Sequence, residues 1–256
     1  MIGIIGGTGF YDPHFLSEQE KVTIETAYGD CQVFIGRVGR KKTVFLPRHG
    51  PEHRIPPHRV NYRGNISALK LAGAERIISI NSVGSLHKGL APGGVVVPHD
   101  FIDLTRGRPS TFYDDETVHV DLSRSYCEEV RAALIGCAKA HFKEVHEKGV
   151  YVCTEGPRFE TPAEVRMLQL LGGDVVGMVG LPEAVLAREA GLCYASISSI
   201  VNYACGITEN PLTIKELKEA VSANLGSMKK AVACAVSKIP EKRGCSCKQA
   251  PEEARV

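Results

Sequence analysis

The spacing of apolar and polar positions changes period repeatedly along the chain. Residues 2–5 are a short apolar run that ends in Gly6-Gly7-Thr8-Gly9, which predicts a buried strand feeding a sharp turn. Residues 22–38 hold two period-two segments around Gly29-Asp30, the pattern of a hairpin. Residues 42–47 predict a strand that delivers Arg48-His49-Gly50, and residues 61–71 predict a helix that stops at Ala72-Gly73. Strands are expected over 76–81, 94–98, 147–153 and 174–178, with a long polar loop over 105–116. Ser125-Tyr126-Cys127-Glu128 has capping-box spacing and predicts a helix to about His141. Thr161-Pro162-Ala163-Glu164 is a second capping box, with proline at the first helical position. Residues 182–190 predict a helix, and 193–202 a long buried strand ending in Asn202. Ile214, Leu217, Val221, Leu225, Met228 and Val232 then repeat at threes and fours, so the longest helix carries an amphipathic stripe.

Strands alternating with helices predict an α/β fold, a single domain with a central mixed β-sheet flanked by helices. No repeat or linker divides the chain. Residues 1–240 are expected to form the domain, and 241–256 a charged, loosely held tail bearing Cys245-Ser246-Cys247.

Composition narrows the partners. The 256 residues are 43% apolar with a formal net charge of +2, which gives no reason to expect nucleic acid or an acidic membrane. No run is long and apolar enough to span a bilayer, and the start lacks the basic region of a signal peptide, so a cytoplasmic location is expected. Seven of the nine cysteines stand singly, mostly in apolar runs, and are expected to be small core residues. Cys245 and Cys247 have no second Cys or His pair nearby in sequence, which argues against zinc. His53 and His58 lie among prolines with no helical frame that would make them metal ligands.

Chemistry gathers at the ends of the expected strands. The Gly-Gly-Thr-Gly turn presents successive backbone N–H groups and the Thr8 hydroxyl, as a phosphate loop does and as an ordinary glycine turn also does. It is not the G-x-G-x-x-G dinucleotide fingerprint, and no helix opens after it. Arg48 beside His49 reads as an oxyanion clamp or a surface pair. Asn81-Ser82 ends another strand, and Glu160 precedes a helix N-terminus.

Taken together, I-I-G-G-T-G, R-H-G at 48–50, N-S-V-G-S at 81–85, E-G-P-R-F-E-T at 155–161 and G-M-V-G-L-P-E at 177–183 resemble the trimeric purine nucleoside phosphorylase / methylthioadenosine phosphorylase family, from Ile2 to about Pro240. The resemblance implies phosphorolysis of an N-glycosidic bond, with inorganic phosphate as co-substrate and no metal or organic cofactor. It assigns Thr8, Arg48, His49 and Ser82 to phosphate, with Asn81 at the edge of that site. Met178 is assigned to the ribose and Phe159 to the base, and Asn202, Glu160 and His49 to catalysis. It also implies a homotrimer or dimer of trimers, with His119 donated by a neighbouring subunit. Val179 departs from the family, which usually places a phosphate-binding Ser or Thr there.

Adenine-selective members place Asp at the position of Asn202 and again two residues later, where this chain has Ala204. Asn202 with Glu160 suits a 6-oxopurine, whose N1–H a carboxylate accepts. Ile214 and Leu217 fall at the 5′ end of the sugar, where apolar residues suit a methylthio group. The resemblance therefore points to S-methyl-5′-thioinosine. Inosine or guanosine, S-methyl-5′-thioadenosine and, remotely, a non-enzymatic nucleotide-binding module are the alternatives. For the tail, similar C-x-C ends in some heat-stable archaeal members suggest a Cys245–Cys247 disulfide, the alternative being a reduced tail.

Overall fold

The computed structural model describes residues 1–50 and 54–256, so His53 lies outside the described residues. Among the described residues eleven strands form one mixed sheet: β1 (Ile2–Gly6), β2 (Ser17–Ile24), β3 (Cys31–Val38), β4 (Lys41–Pro47), β5 (Arg76–Ser85), β6 (Val95–Val96), β7 (Asp100–Asp103), β8 (Val145–His146), β9 (Val150–Cys153), β10 (Val175–Gly177) and β11 (Cys193–Tyr203). Among the described residues five α-helices accompany it: α1 (Tyr62–Leu71), α2 (Glu128–Ala138), α3 (Pro162–Leu170), α4 (Glu183–Glu189) and α5 (Ile214–Lys238). The main path runs β2-β3-β4-β1-β5-β10-β9-β7, and β11 pairs with β5 and β6. β4, β1, β5 and β11 are mutually parallel, so their carboxyl ends open on the same side of the sheet. Such strand ends are where open α/β sheets bind ligands.

The sheet separates two apolar layers. Ile66, Leu69, Ala184, Leu186 and Ala187 bring α1 and α4 against one of them. Val130, Leu134, Met228, Val232 and Val236 bring α2 and α5 into the other. A smaller cluster under α3 joins Val165 and Leu168 to Val152, Val176 and Ala204.

Several expectations are corrected. The helix after Ser125 starts at Glu128, with Cys127 at its cap and no side-chain cap bond. The Ser125 hydroxyl instead donates to Asp100 Oδ1 at 2.6 Å, and Glu128 is taken by Arg131, so neither capping-box partner is available. The strand expected over 147–153 begins only at Val150, and that over 94–98 is reduced to two residues. β7 was not expected, because its D-F-I-D segment is short and acid-ended. The stripe of α5 is buried at Met228 and Val232, while Ile214 is 55% exposed: the first turns run past the core.

Two cysteines expected to be simple core residues, Cys137 in α2 and Cys234 in α5, form a disulfide between these helices. The tail is not loosely held. Ser246–Lys248 form a 3-10 turn, Cys247, Ala250 and Ala254 are buried, and Arg243 donates to the Gly191 carbonyl. Further on, Arg255 bridges to Val118, and the His119 N–H donates to the Ala254 carbonyl. Cys245 and Cys247 are thiols rather than a disulfide. Folding brings Cys127 and Cys193 beside them, so the premise that no second cysteine pair stands near does not hold.

Candidate active site

A cleft of about 330 Å³ opens at the carboxyl ends of β1, β4, β5 and β11. Thr8, Arg48, His49, Ser82, Phe159, Glu160, Met178, Val179, Asn202, Ala204 and Leu217 line it, so residues from opposite halves of the sequence converge there. Strand register makes this convergence. Gly6 pairs with Pro47, which sets the glycine turn beside Arg48, and Ser82 pairs with Ser199, which carries β11 along β5. A bulge at Val201 then lets Asn202 pair with Gly84. Bulges of this kind re-aim side chains at strand ends.

The turn after β1 is built for close approach. A Cβ at Gly7 would stand 2.2 Å from the Ile80 carbonyl oxygen and 2.8 Å from Arg48 Nη1. Gly9 has φ +81°, and a Cβ there would meet Val221 Cγ1 at 2.1 Å, so α5 closes directly over the turn.

Arg48 does not present the free fork expected of an oxyanion clamp. It is 1% exposed, with Nε 2.5 Å from Glu183 Oε1 and Nη2 3.0 Å from Oε2. Nη1 donates to the Ile80 carbonyl, and Nη2 also reaches Ser79 Oγ and Asn81 Oδ1. Glu183, itself fully buried, accepts further bonds from Ser79 and Tyr194. Burial opposes the guanidinium charge, but Glu183 outweighs it and holds Arg48 above its ordinary pKa. Arg48 lines the cleft, and its Nη1 lies beside Gly7. Asn81 lies behind this arrangement and outside the cleft lining; it orients Arg48. Burial pushes the nearby Tyr11 hydroxyl up to about 12 against the opposing influence of Thr8 and Arg48, so it stays protonated at neutral pH.

His49 Nδ1 lies 2.7 Å from the Ile55 carbonyl, which fixes the ring and makes Nδ1 the donor of that bond. At the other end of the cleft, the Thr154 hydroxyl donates to Glu160 Oε1 at 2.6 Å, and Asn202 Nδ2 donates to the Tyr203 carbonyl at 2.7 Å. Thr161 caps α3 with a complete capping box, which sets Glu160 immediately outside that helix. Ile214 is not in the lining; Leu212, ahead of the helix, takes the apolar place beside Leu217. His119 is exposed and stands away from the cleft of its own chain.

The sequence profile described as Phosphorylase superfamily matches residues 1–237. The chain belongs to this superfamily. This phosphorylase is 47% identical over 257 residues to the "Probable 6-oxopurine nucleoside phosphorylase" of Dictyoglomus turgidum, covering 99% of this chain and 97% of the relative. It is 48% identical to the "Probable S-methyl-5'-thioinosine phosphorylase" of Methanothermobacter thermautotrophicus, covering 100% and 90%. Its fold superposes on methylthioadenosine phosphorylase from Schistosoma mansoni in complex with adenine with a TM-score of 0.93, at 33% identity and over 99% and 98% of the two chains. It is an enzyme of the nucleoside phosphorylase, or pentosyltransferase, class.

Residues that sequence reasoning passed over support the phosphorylase cleft from behind. Arg108, in the polar loop 105–116, is buried and donates to the Tyr62 hydroxyl and to the Leu181 and Glu155 carbonyls. It ties down the 154–160 loop that carries Phe159 and Glu160. Glu183 was legible only as part of the G-M-V-G-L-P-E motif, with no sign that it pairs with Arg48. Arg54 also lines the cleft, and no pattern around it marked it.

Proposed function

We propose that this enzyme phosphorolyses S-methyl-5′-thioinosine, giving hypoxanthine and 5-methylthioribose 1-phosphate. The observation that carries the reading is the base end of the cleft. There Glu160, Asn202 and Ala204 line the same cleft, and Ala204 has no hydrogen-bonding side chain. With Glu160 Oε1 held by Thr154, Oε2 is the oxygen left to accept the N1–H of a 6-oxopurine. Adenine presents a lone pair at N1, and that mismatch is penalised in a water-poor site.

In the reaction a phosphate oxygen attacks C1′ as the C1′–N9 bond breaks. The bonding pair leaves with the purine, which takes a proton at N7 from solvent. Thr8, Ser82, His49 and the Nη1 edge of Arg48 hold the phosphate. Asn202 supplies Oδ1 to N7–H and an amide N–H to O6, so the departing base is stabilised as charge develops on it. Most of the rate enhancement then comes from positioning and from fixed dipoles. Met178 packs on the sugar and Phe159 on the base. Leu217 with Leu212 gives the 5′ end an apolar lining that suits a methylthio group.

Purine salvage is the corresponding role, in the cytoplasm, as a homotrimer or dimer of trimers whose cleft is completed by His119 from a neighbouring subunit. The exposure of His119, outside the lining of its own chain's cleft, is consistent with that assembly. A 6-oxopurine nucleoside such as inosine is the second reading, favoured by the name of the Dictyoglomus relative and by the fact that an apolar 5′ lining tolerates a hydroxyl.

The test is kcat/KM for methylthioinosine, inosine, guanosine and methylthioadenosine at saturating phosphate. Methylthioinosine should lead methylthioadenosine by about 10²-fold. Asn202→Asp should narrow that gap while lowering turnover, because a carboxylate there also faces the Tyr203 carbonyl. Equal or better cleavage of methylthioadenosine removes the base-reading role of Glu160 and Asn202.

A further inference from the structure

Away from the cleft, four thiols from three parts of the chain converge. Cys127 caps α2, Cys193 is the first residue of β11, and Cys245 and Cys247 belong to the tail. Their Sγ atoms all lie within 4.8 Å of one another; three of the cysteines are buried and Cys245 is half-buried. Cys193 and Cys245 stand 3.3 Å apart, well beyond a disulfide bond of about 2.05 Å, and all four are free thiols. Four thiolates around zinc at about 2.3 Å occupy the corners of a tetrahedron with edges of roughly 3.8 Å. The cluster matches that size, its residues already close from independent elements.

We infer that Cys127, Cys193, Cys245 and Cys247 form a tetrathiolate site for one zinc ion that fastens the C-terminal tail to α2 and β11. Soft thiolate donors in a closed set of four, with no position left for a substrate, are the mark of a structural site. On binding, Zn²⁺ displaces four thiol protons to solvent and leaves a Zn–S₄ unit of net charge −2. The positive end of the α2 dipole begins at Cys127 and favours the negative charge there, with Glu128 partly offset by its pairing to Arg131. The backbone is already shaped for it: the Cys127 N–H donates to the Tyr194 carbonyl beside Cys193, and the Gly244 N–H donates to Glu129 Oε1 at the entry of the tail.

The experiment is metal analysis of the full-length protein purified without chelator, together with zinc titration of the reduced apoprotein under argon. One zinc per chain is expected, retained on dialysis and released by a thiol-directed mercurial. Cys245→Ser and Cys247→Ser should each lower zinc content at least tenfold. Because loss of tail packing alone would also lower the zinc content of these variants, cobalt is titrated into the unsubstituted apoprotein as well. It should give the intense sulfur-to-cobalt charge-transfer bands and visible bands of a tetrahedral thiolate site. Non-reduced peptide mapping that shows these four cysteines joined as disulfides overturns the inference. So do four freely alkylated thiols with neither zinc uptake nor a cobalt spectrum.

Discussion

Val179 lines the cleft at the proposed phosphate site. Its N–H is bound to the Tyr151 hydroxyl, so the backbone is fixed, and its side chain lines the cleft without a donor. Val179→Thr replaces a methyl with a hydroxyl at nearly constant volume. A hydrogen bond to a charged acceptor contributes about 1.5–3 kcal/mol, part of which is spent desolvating the hydroxyl. The KM for phosphate should therefore fall by about three- to tenfold with little change in the KM for nucleoside, measured by initial rates with each substrate varied. An unchanged phosphate KM would place this side chain outside the phosphate site. Thr8, Ser82, Glu160 and Asn202 were legible as candidates because the sequence pattern set each at an expected strand end or before a helix, although Ser82 lies within β5, which continues to Ser85. The ion pair of Arg48 with Glu183 was not, because charge pairing across 135 positions leaves no periodic or spacing signal.

Between elements, the glycine turn and α5 behave as one unit. Gly9 sits at positive φ with Val221 of α5 where a side chain would go. Gly9→Ala should combine backbone strain of about 1 kcal/mol or more with a steric clash. Val221→Ala should relieve the clash but not the strain, so the double variant recovers part of the lost kcat/KM and melting temperature. Full recovery would show that φ at Gly9 is immaterial. The capping box at Thr161 survived from sequence to structure because both of its partners are local. The one at Ser125 did not, because Asp100 on another strand competes for the same hydroxyl. Local patterns are reliable where no tertiary partner outbids them.

The loop 105–108 carries an acid-sensitive tie. Glu155 accepts the Arg106 and Gly107 N–H groups and pairs with Arg108. Burial alone would raise its pKa, but the Arg106 N–H and the Arg108 charge outweigh it and hold it below the ordinary 4.5. A carboxylate depressed on folding contributes stability that is complete above its unfolded pKa and is lost as pH falls through the folded one. The melting temperature should therefore be flat above about pH 5 in this respect and decline below about pH 4.5. Glu155→Gln should be less stable at neutral pH and show a shallower acid decline, read by scanning calorimetry across pH. Parallel slopes for the two proteins would remove Glu155 as a source of the acid sensitivity.

Across the whole molecule, the α/β class followed from alternating periods, and the mixed sheet with its two apolar layers carries it out. The long-range joins were hidden: the Cys137–Cys234 disulfide spans 97 positions, and Cys245 and Cys247 meet their neighbours only after folding. The docked tail has a practical consequence. Arg255 and Ala254 clasp the backbone at 118–119, yet Val256 itself is 95% exposed. Lengthening and shortening the chain at this end are therefore not equivalent. A purification tag added after Val256 starts in solvent and should leave melting temperature and turnover unchanged. Stopping at residue 240 uncovers the faces of α2 and β11 and frees the segment around His119. Such a truncated protein should melt several degrees lower and bind nucleoside more weakly, seen by differential scanning fluorimetry and initial rates. The final stretch of the chain thus serves as the latch of the fold rather than a convenient place to trim it.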